Sequence, residues 1–325
     1  MNIQSVDLAN LNIDGASNAS EEYRAPTPHF PSAIDNTMRE SFVNCPTKFY
    51  EAHILGLAPK QPSIHLHAGA AFAKGLEVAR RAFYELHYDE MDAVTLGTKA
   101  MVEAYGDFDE EYGFLDHNKS KANLLRAIHS YFIEYPLGVD TIIPLKTGDN
   151  RYALEFSFSV ATKILHPVTG DPILYAGKFD MLGVRDGTLW VTDEKTTSSL
   201  GASWNKQWDL NSQFTGYCMG AREYGYPVAG AIIRGVGLLK TNITHAQCII
   251  HRPDWQIARW WDQLHQDLNR MVACWKLDQW DHALGAACSA YGDCTFKPLC
   301  VSQEPDKWRE MYFIERRWNP LDARD

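Results

Sequence analysis

Apolar residues alternate with small or polar ones through Tyr152, Leu154, Phe156, Phe158 and Val160, the period-two signature of a half-buried strand. A turn-rich stretch from His166 to Pro172 follows, and Ile173 to Val184 continues the sheet pattern. Asp186-Gly187 then separates this run from Leu189 to Thr196, and Asp-Gly between two apolar alternating segments is a strong hairpin signal. Residues 151 to 195 therefore read as a β meander. Elsewhere the period lengthens to three and four. Phe72, Leu76, Ala79, Phe83 and Leu86 define a helix over 67–88, and Leu124, Leu125, Ile128, Tyr131, Phe132 and Tyr135 define another over 119–135. Ile257, Trp260, Trp261, Leu264, Leu268, Met271, Val272 and Trp275 define a third over 255–276, whose tryptophans read as core rather than as platforms for stacked bases. A helix is expected to begin at Ser32 or Asp35, another to run from Trp204 to Tyr224, and Ala229–Ile233 to add a strand. The order β-β-β-α-β predicts an α/β or α+β fold. Lys119, Lys121 and Arg126, on the polar part of the second helix, read as a solvated face rather than as DNA contacts.

Residues 1–30, rich in Asn, Ser, Ala and Asp and followed by Pro31, read as a flexible arm. A chain of 325 residues is long enough for one large domain or two small ones, each with an ample core. The absence of a long apolar run predicts no membrane-spanning helix, and the absence of a basic-then-apolar leader predicts a cytoplasmic location. A net charge of −10 argues mildly against a protein that coats nucleic acid without specificity, yet it leaves room for a local basic groove. Gly177-Lys178 is followed by Phe179, so no phosphate-binding G-x-x-x-x-G-K-[ST] loop forms there; ATP-driven unwinding would fall to a separate helicase or recombinase.

The predicted hairpin carries the chemistry. It brings Asp180 near Asp193 and Lys195, which lie two apart and so share a face, while Glu194 points away. Two carboxylates and an ammonium so placed fit a divalent cation such as Mg²⁺ or Mn²⁺, and they equally fit a surface ion pair at a strand end. The seven cysteines are odd in number and follow no export signal, which argues against a disulfide framework. Cys288, Cys294 and Cys300 are spaced C-x5-C-x5-C in a loop with Gly292 and Pro298, which suits a metal centre but lacks the close pairs usual for zinc. Cys218, Cys248 and Cys274 sit in helix or strand patterns and read as buried small residues.

Asp180, then Asp193-x-Lys195-Thr196, then Gln213-x-x-x-Tyr217 on a following helix resembles the PD-(D/E)XK nuclease superfamily, specifically its RecB-like exonuclease branch. The resemblance implies a restriction-endonuclease-like core, a small mixed β-sheet flanked by helices. It implies that Asp180 and Asp193 hold Mg²⁺ or Mn²⁺, joined by Glu155 on the preceding strand and by the carbonyl of Glu194. Lys195 would be catalytic, and Gln213 and Tyr217 would face the site from their helix. Cys45-Pro46-Thr47-Lys48-Phe49-Tyr50 resembles the N-terminal cysteine motif of the iron–sulfur members, which include CRISPR-associated adaptation exonucleases and phage homologues. The implied 4Fe–4S cluster, on Cys45, Cys288, Cys294 and Cys300, would staple the two ends around the sheet. One nuclease domain over 31–325 follows, with a helical part at 31–150, a sheet core at 151–250 and a second helical part at 251–325. One departure stands out: many members carry Gly-x-x-Phe-His, and this chain has Gly69-Ala70-Ala71-Phe72-Ala73, with His65 and His67 upstream. The activity implied is a metal-dependent DNA nuclease, an exonuclease on single strands or duplex ends in recombination, repair or phage DNA processing. The alternative is a nuclease-fold DNA-binding or scaffold protein with weak or no cleavage.

Overall fold

The computed structural model describes residues 26–148, 151–201, 203–289 and 293–322. The chain enters through β1 (Ala33–Ile34), α1 (Asn36–Asn44) and α2 (Pro46–Phe49), passes a π-helical turn (Tyr50–Ile54) and forms β2 (Leu57–Pro59). A helical block follows: α3 (Ile64–Tyr84), α4 (Glu90–Tyr105), α5 (Phe108–Tyr112) and α6 (Lys121–Glu134). Next come β3 (Ile143–Pro144), β4 (Leu154–Leu165), β5 (Pro172–Arg185) and β6 (Thr188–Thr197), then α7 (Ser212–Glu223), β7 (Gly230–Leu238) and β8 (Ile243–His251). The chain closes with α8 (Asp254–Leu277), α9 (Lys297–Val301), α10 (Pro305–Tyr312) and β9 (Phe313–Glu315).

Seven strands form one mixed sheet flanked by helices, the fold class that the resemblance implies. β5 is its hub, pairing with β1 in parallel and with β3, β4 and β6 antiparallel. The β5–β6 hairpin turns at Asp186 (φ 50°) and Gly187 (φ 73°), the two left-handed residues that match a tight turn to the strand twist. β6 then pairs in parallel with β7, a connection that needs a crossover, and α7 supplies it. Every residue of β7 is buried, because helices cover both faces of the sheet there. One apolar core lies between the sheet and α1, α7 and α8, with Tyr175, Phe179, Phe214 and Leu264 at its centre. The other joins α3, α4 and α6 to Val236 and Leu238 of β7.

β5 and β6 pair from Arg185↔Thr188 to Met181↔Thr192 and then part, while β6 stays paired with β7 as far as Thr197. α7 lies unusually close to the sheet beside that split. A Cβ on Gly216 would come within 2.1 Å of the Tyr175 hydroxyl, and one on Gly220 within 2.4 Å of the Phe158 ring. Any larger residue at either position would lift the helix.

Three expectations shift. α7 begins at Ser212, capped by the Asn211 side chain, because buried Trp204 and Trp208 hold the preceding chain in a separate 3-10 turn. α4 and β8 were not anticipated; the buried line of α4 includes Ala93 and Gly97, too small to show as an apolar stripe. Of the expected arm, residues 1–25 lie outside the described residues, while Phe30 is buried against His166 and Trp275, so the anchored chain starts before residue 31. β2 and β9 pair antiparallel over Leu55, Leu57, Phe296, Leu299 and Phe313, which ties the two ends of the described chain together. Among the described residues no helix is long and apolar enough to cross a membrane.

Candidate active site

The split between β5 and β6 gathers the charged residues that the sequence singled out. Asp180 ends the β5 side, one step past the last β5–β6 pair, and its Oδ2 accepts the main-chain N–H of Glu194 at 2.8 Å. Asp193 is buried, and Lys195 Nζ stands 2.5 Å from its Oδ1. That contact is what balances the buried Oδ1. Lys195 also lies over the Phe214 ring, 5.7 Å from its centroid.

The two carboxylates strain against each other. Burial first, then the charges of Asp193 and Glu194, push the Asp180 carboxyl well above the usual carboxylate range. Burial also raises the Asp193 carboxyl, although Lys195 pulls the other way. Lys195 holds its proton more firmly than a free lysine, because Asp193 and Asp180 outweigh the cost of burying it. A cation between the two acids would relieve this repulsion, with the buried Oδ1 of Asp193, which Lys195 now balances, as one of its donors. The donor set is all hard oxygen, which suits Mg²⁺ or Mn²⁺, ions that keep several waters when few protein ligands are offered.

From α7, Gln213 Nε2 donates to the Tyr217 hydroxyl at 2.8 Å, and Tyr217 is buried near enough to Asp193 for that charge to add to burial in raising its phenol. Glu155 adopts a left-handed backbone (φ 53°) beside Asp180, and its carboxylate pairs with Lys178 at 2.6 Å. Its charge reaches both aspartates. Glu194 points away from them, as strand alternation requires, and its carboxylate is held by Arg80 and Tyr131. Burial opposes that charge, but the Arg80 guanidinium overrides it and draws the carboxyl down to about 2.

Ala73 is half-buried on α3. His67 stacks on Phe108 at 3.9 Å and bonds the Tyr105 carbonyl, which gives it a packing role. His65 stands beside His117, 5.6 Å between ring centroids. The three cations of the second predicted helix all find protein partners. Lys119 is buried and donates to the carbonyl and hydroxyl of Thr196, Lys121 pairs with Asp107, and Arg126 bonds the carbonyls of Lys240 and Thr241.

Cys45, Cys288, Cys294 and Cys300 come to one cavity of about 560 Å³, shared with Lys48, Lys297 and His282. All are free thiols, and burial together with the nearby charges of Cys294, Cys45 and Cys288 raises the Cys300 thiol. Cys218 and Cys248 are buried, as expected, whereas Cys274 is only half-buried. Among the described residues no group of three or more His, Cys, Asp or Glu side chains is arranged to hold a single metal ion.

A model of the PD-(D/E)XK nuclease superfamily matches residues 37–301. The chain belongs to that superfamily. The match runs from α1, which precedes Cys45, to Val301, just after Cys300, and contains every strand of the main sheet except β1. Two solved structures are similar at low identity. A candidate exonuclease from Eubacterium rectale is 12% identical, with 81% of this chain and 89% of that chain covered and a TM-score of 0.44. The protein SSO0001 is 15% identical, with 62% and 73% covered and a TM-score of 0.25. No curated protein matches the sequence. Sequence reading missed the partners of Glu194 altogether. Its available signals were a charge at Arg234 inside the otherwise apolar run of β7 and an acid at the middle position of Asp-x-Lys.

Proposed function

We propose that this member of the superfamily is a Mg²⁺- or Mn²⁺-dependent deoxyribonuclease, an exonuclease on single strands or duplex ends that works in the cytoplasm in recombination, repair or phage DNA processing. The observation that carries the reading is the convergence of Asp180, Asp193, Lys195, Gln213 and Tyr217, from two strands and a helix, on the split between β5 and β6. Asp180 and Asp193 would hold the ion. The Glu194 carbonyl adds a third oxygen: a residue's N–H and C=O leave a strand on the same side, and the N–H of Glu194 already faces Asp180. Glu155 supplies further negative charge beside them. The bound ion supplies Lewis-acid stabilisation of the scissile phosphate and acidifies the attacking water.

Lys195 is the cation of the site. Its ammonium, paired with Asp193, stands where it would orient the attacking water or offset charge on a phosphate oxygen. Tyr217, kept protonated by burial, donates from its hydroxyl, and Gln213 fixes where that hydroxyl points. Residues 31–325 act as one nuclease domain, and any helicase or recombinase is a separate chain.

The four-cysteine cavity is read as the seat of a structural 4Fe–4S cluster. One zinc ion needs sulfurs about 2.3 Å from a common centre, whereas a four-iron cube spans thiolates set farther apart around a cavity. Lys48 and Lys297 on the cavity wall suit its negative charge. A second reading, a DNA-binding scaffold with weak cleavage, rests on Ala73 standing where many members have histidine.

Incubation of end-labelled single- and double-stranded DNA with anaerobically purified protein and Mn²⁺ or Mg²⁺ tests the proposal. Metal-dependent degradation that disappears in Lys195→Ala and Asp193→Ala is expected. A folded, DNA-binding protein that leaves the label intact under every metal condition selects the scaffold reading.

A further inference from the structure

The side of β6 opposite the aspartates holds a chain of buried charges that no step above uses. Arg80 Nη1 donates to Glu194 Oε2 at 3.2 Å, and Arg80 Nη2 pairs with Oε1. The Tyr131 hydroxyl donates to the same Oε1 at 2.8 Å while accepting from Arg80 at 2.9 Å and from Arg234 at 3.3 Å. Arg234 forks onto Asp140 at 2.7 and 2.6 Å, donates to Gln247 and stacks on Tyr135 at 3.9 Å. The side chains of Arg80, Glu194 and Arg234 are 6%, 3% and 3% exposed.

A buried ion pair of this kind contributes little net stability, since well-packed apolar residues of the same volume serve the fold as well or better. Its effect is positional. Glu194 sits where β6 has lost β5 as a partner, so neither its main-chain N–H nor its carbonyl is tied by the β5 ladder. Its N–H is what holds Asp180 Oδ2. We infer that Glu194 is a positioning residue: Arg80 and Tyr131, backed by Arg234 and Asp140, clamp its carboxylate from behind the sheet and so fix the main chain that sets the distance between Asp180 and Asp193. The inference rests on the metal-dependent nuclease reading and deepens it. It makes ion affinity depend on residues that touch neither ion nor DNA, with the loss for disturbed outer partners of a metal site falling in the 10–100-fold range.

The test measures Mn²⁺ binding to the full chain without DNA, by the free-ion signal in electron paramagnetic resonance, beside kcat, KM for DNA and melting temperature. The variants are the double apolar replacement Arg80→Leu/Glu194→Leu, the near-isosteric Glu194→Gln, and Tyr131→Phe, which removes one hydroxyl and nothing else. The double variant is expected to melt near wild type, to bind Mn²⁺ at least about tenfold more weakly and to lose kcat with KM for DNA unchanged. Glu194→Gln, which keeps an acceptor for Arg80 and Tyr131, recovers most of the affinity, and Tyr131→Phe loses a few-fold. Wild-type Mn²⁺ affinity in a folded double variant overturns the inference alone, and so does unchanged affinity in Tyr131→Phe where the double variant does not fold. A wild-type protein that binds no Mn²⁺ overturns the nuclease reading and this inference with it.

Discussion

The charged split in the sheet and the four-cysteine cavity are built by opposite means. At the split, each side chain is set by strand register or helix phase. Asp180 and Asp193 follow the last rung of the β5–β6 ladder, and β7 holds β6 straight beyond it. At the cavity the thiols come from chain ends and turns: Cys45 joins two short helices, Cys288 ends a 3-10 turn, and Cys300 sits in the five-residue α9. Among the described residues, those pieces are tied by the Cys294 N–H to the Cys288 carbonyl, by the Thr47 N–H and hydroxyl to the carbonyls of Asp281 and Trp280, and by the 3.7 Å approach of His282 to Cys300. The first site is preorganised by backbone before any ion arrives. The second draws its thiols together from turns and short helices.

The largest effect should come from the split. Asp180→Asn is expected to abolish cleavage, by on the order of 10³-fold or more, because one of the two carboxylates proposed to hold the ion loses its charge. The same change should leave the metal-free protein as stable as wild type or more so, since it removes a carboxylate that burial and Asp193 already disfavour. A fall in the melting temperature of metal-free Asp180→Asn would show that the acids are not in conflict.

Next in size is the cavity. Cys45→Ser should bleach the broad visible absorbance of the anaerobic protein and expose the segment around 278–301 to limited proteolysis, with the sheet still folded by circular dichroism. Equal protease resistance with and without the cluster would mean that the loops fasten themselves. Phe313→Ala tests the apolar tie below the cavity. It is expected to cost about 3–5 kcal/mol of stability in chemical unfolding, because Phe313 packs face to face with Phe296 at 5.0 Å between Leu55 and Leu57.

The smallest effect belongs to Lys119. Burial lowers its pKa from 10.5 to about 8, below the value it has when unfolded. Between those two values the unfolded chain binds the extra proton, so stability rises with pH there. Unfolding of wild type and Lys119→Met at a series of pH values should show wild type gaining on the variant from about pH 8 and levelling off near 10.5. Parallel curves would mean that Lys119 is not neutral in the folded protein.

The fold and the split were largely legible because both are written in local periods. Alternation marked β4 to β6, Asp186-Gly187 marked the turn, and the turn fixed which face Asp180, Asp193 and Lys195 share. The four cysteines were legible through resemblance, and their meeting at one cavity agrees with it. What escaped was non-local or small. α4 packs through Gly97, whose neighbour across the interface is Gly75, and a close approach of two glycines leaves no apolar stripe to read. The clamp on Glu194 draws Arg80, Tyr131, Asp140 and Arg234 from four separate elements and loops, so no window of sequence contains two of its contacts. A buried charge announces that it has a partner without saying where.

The pairing of β2 with β9 bears on how this chain is made. Leu57 finds its partner at Glu315, after nearly every other element has been synthesised. On a ribosome the sheet and its helices can assemble from the N-terminal side, but β2 stays without its partner until β9 emerges. Closure of this ladder is therefore a late, long-range event, slow to form and early to open under tension. Chains truncated before Phe313 should consequently leave the ribosome as a folded sheet with β2 unpaired, a ready substrate for quality control.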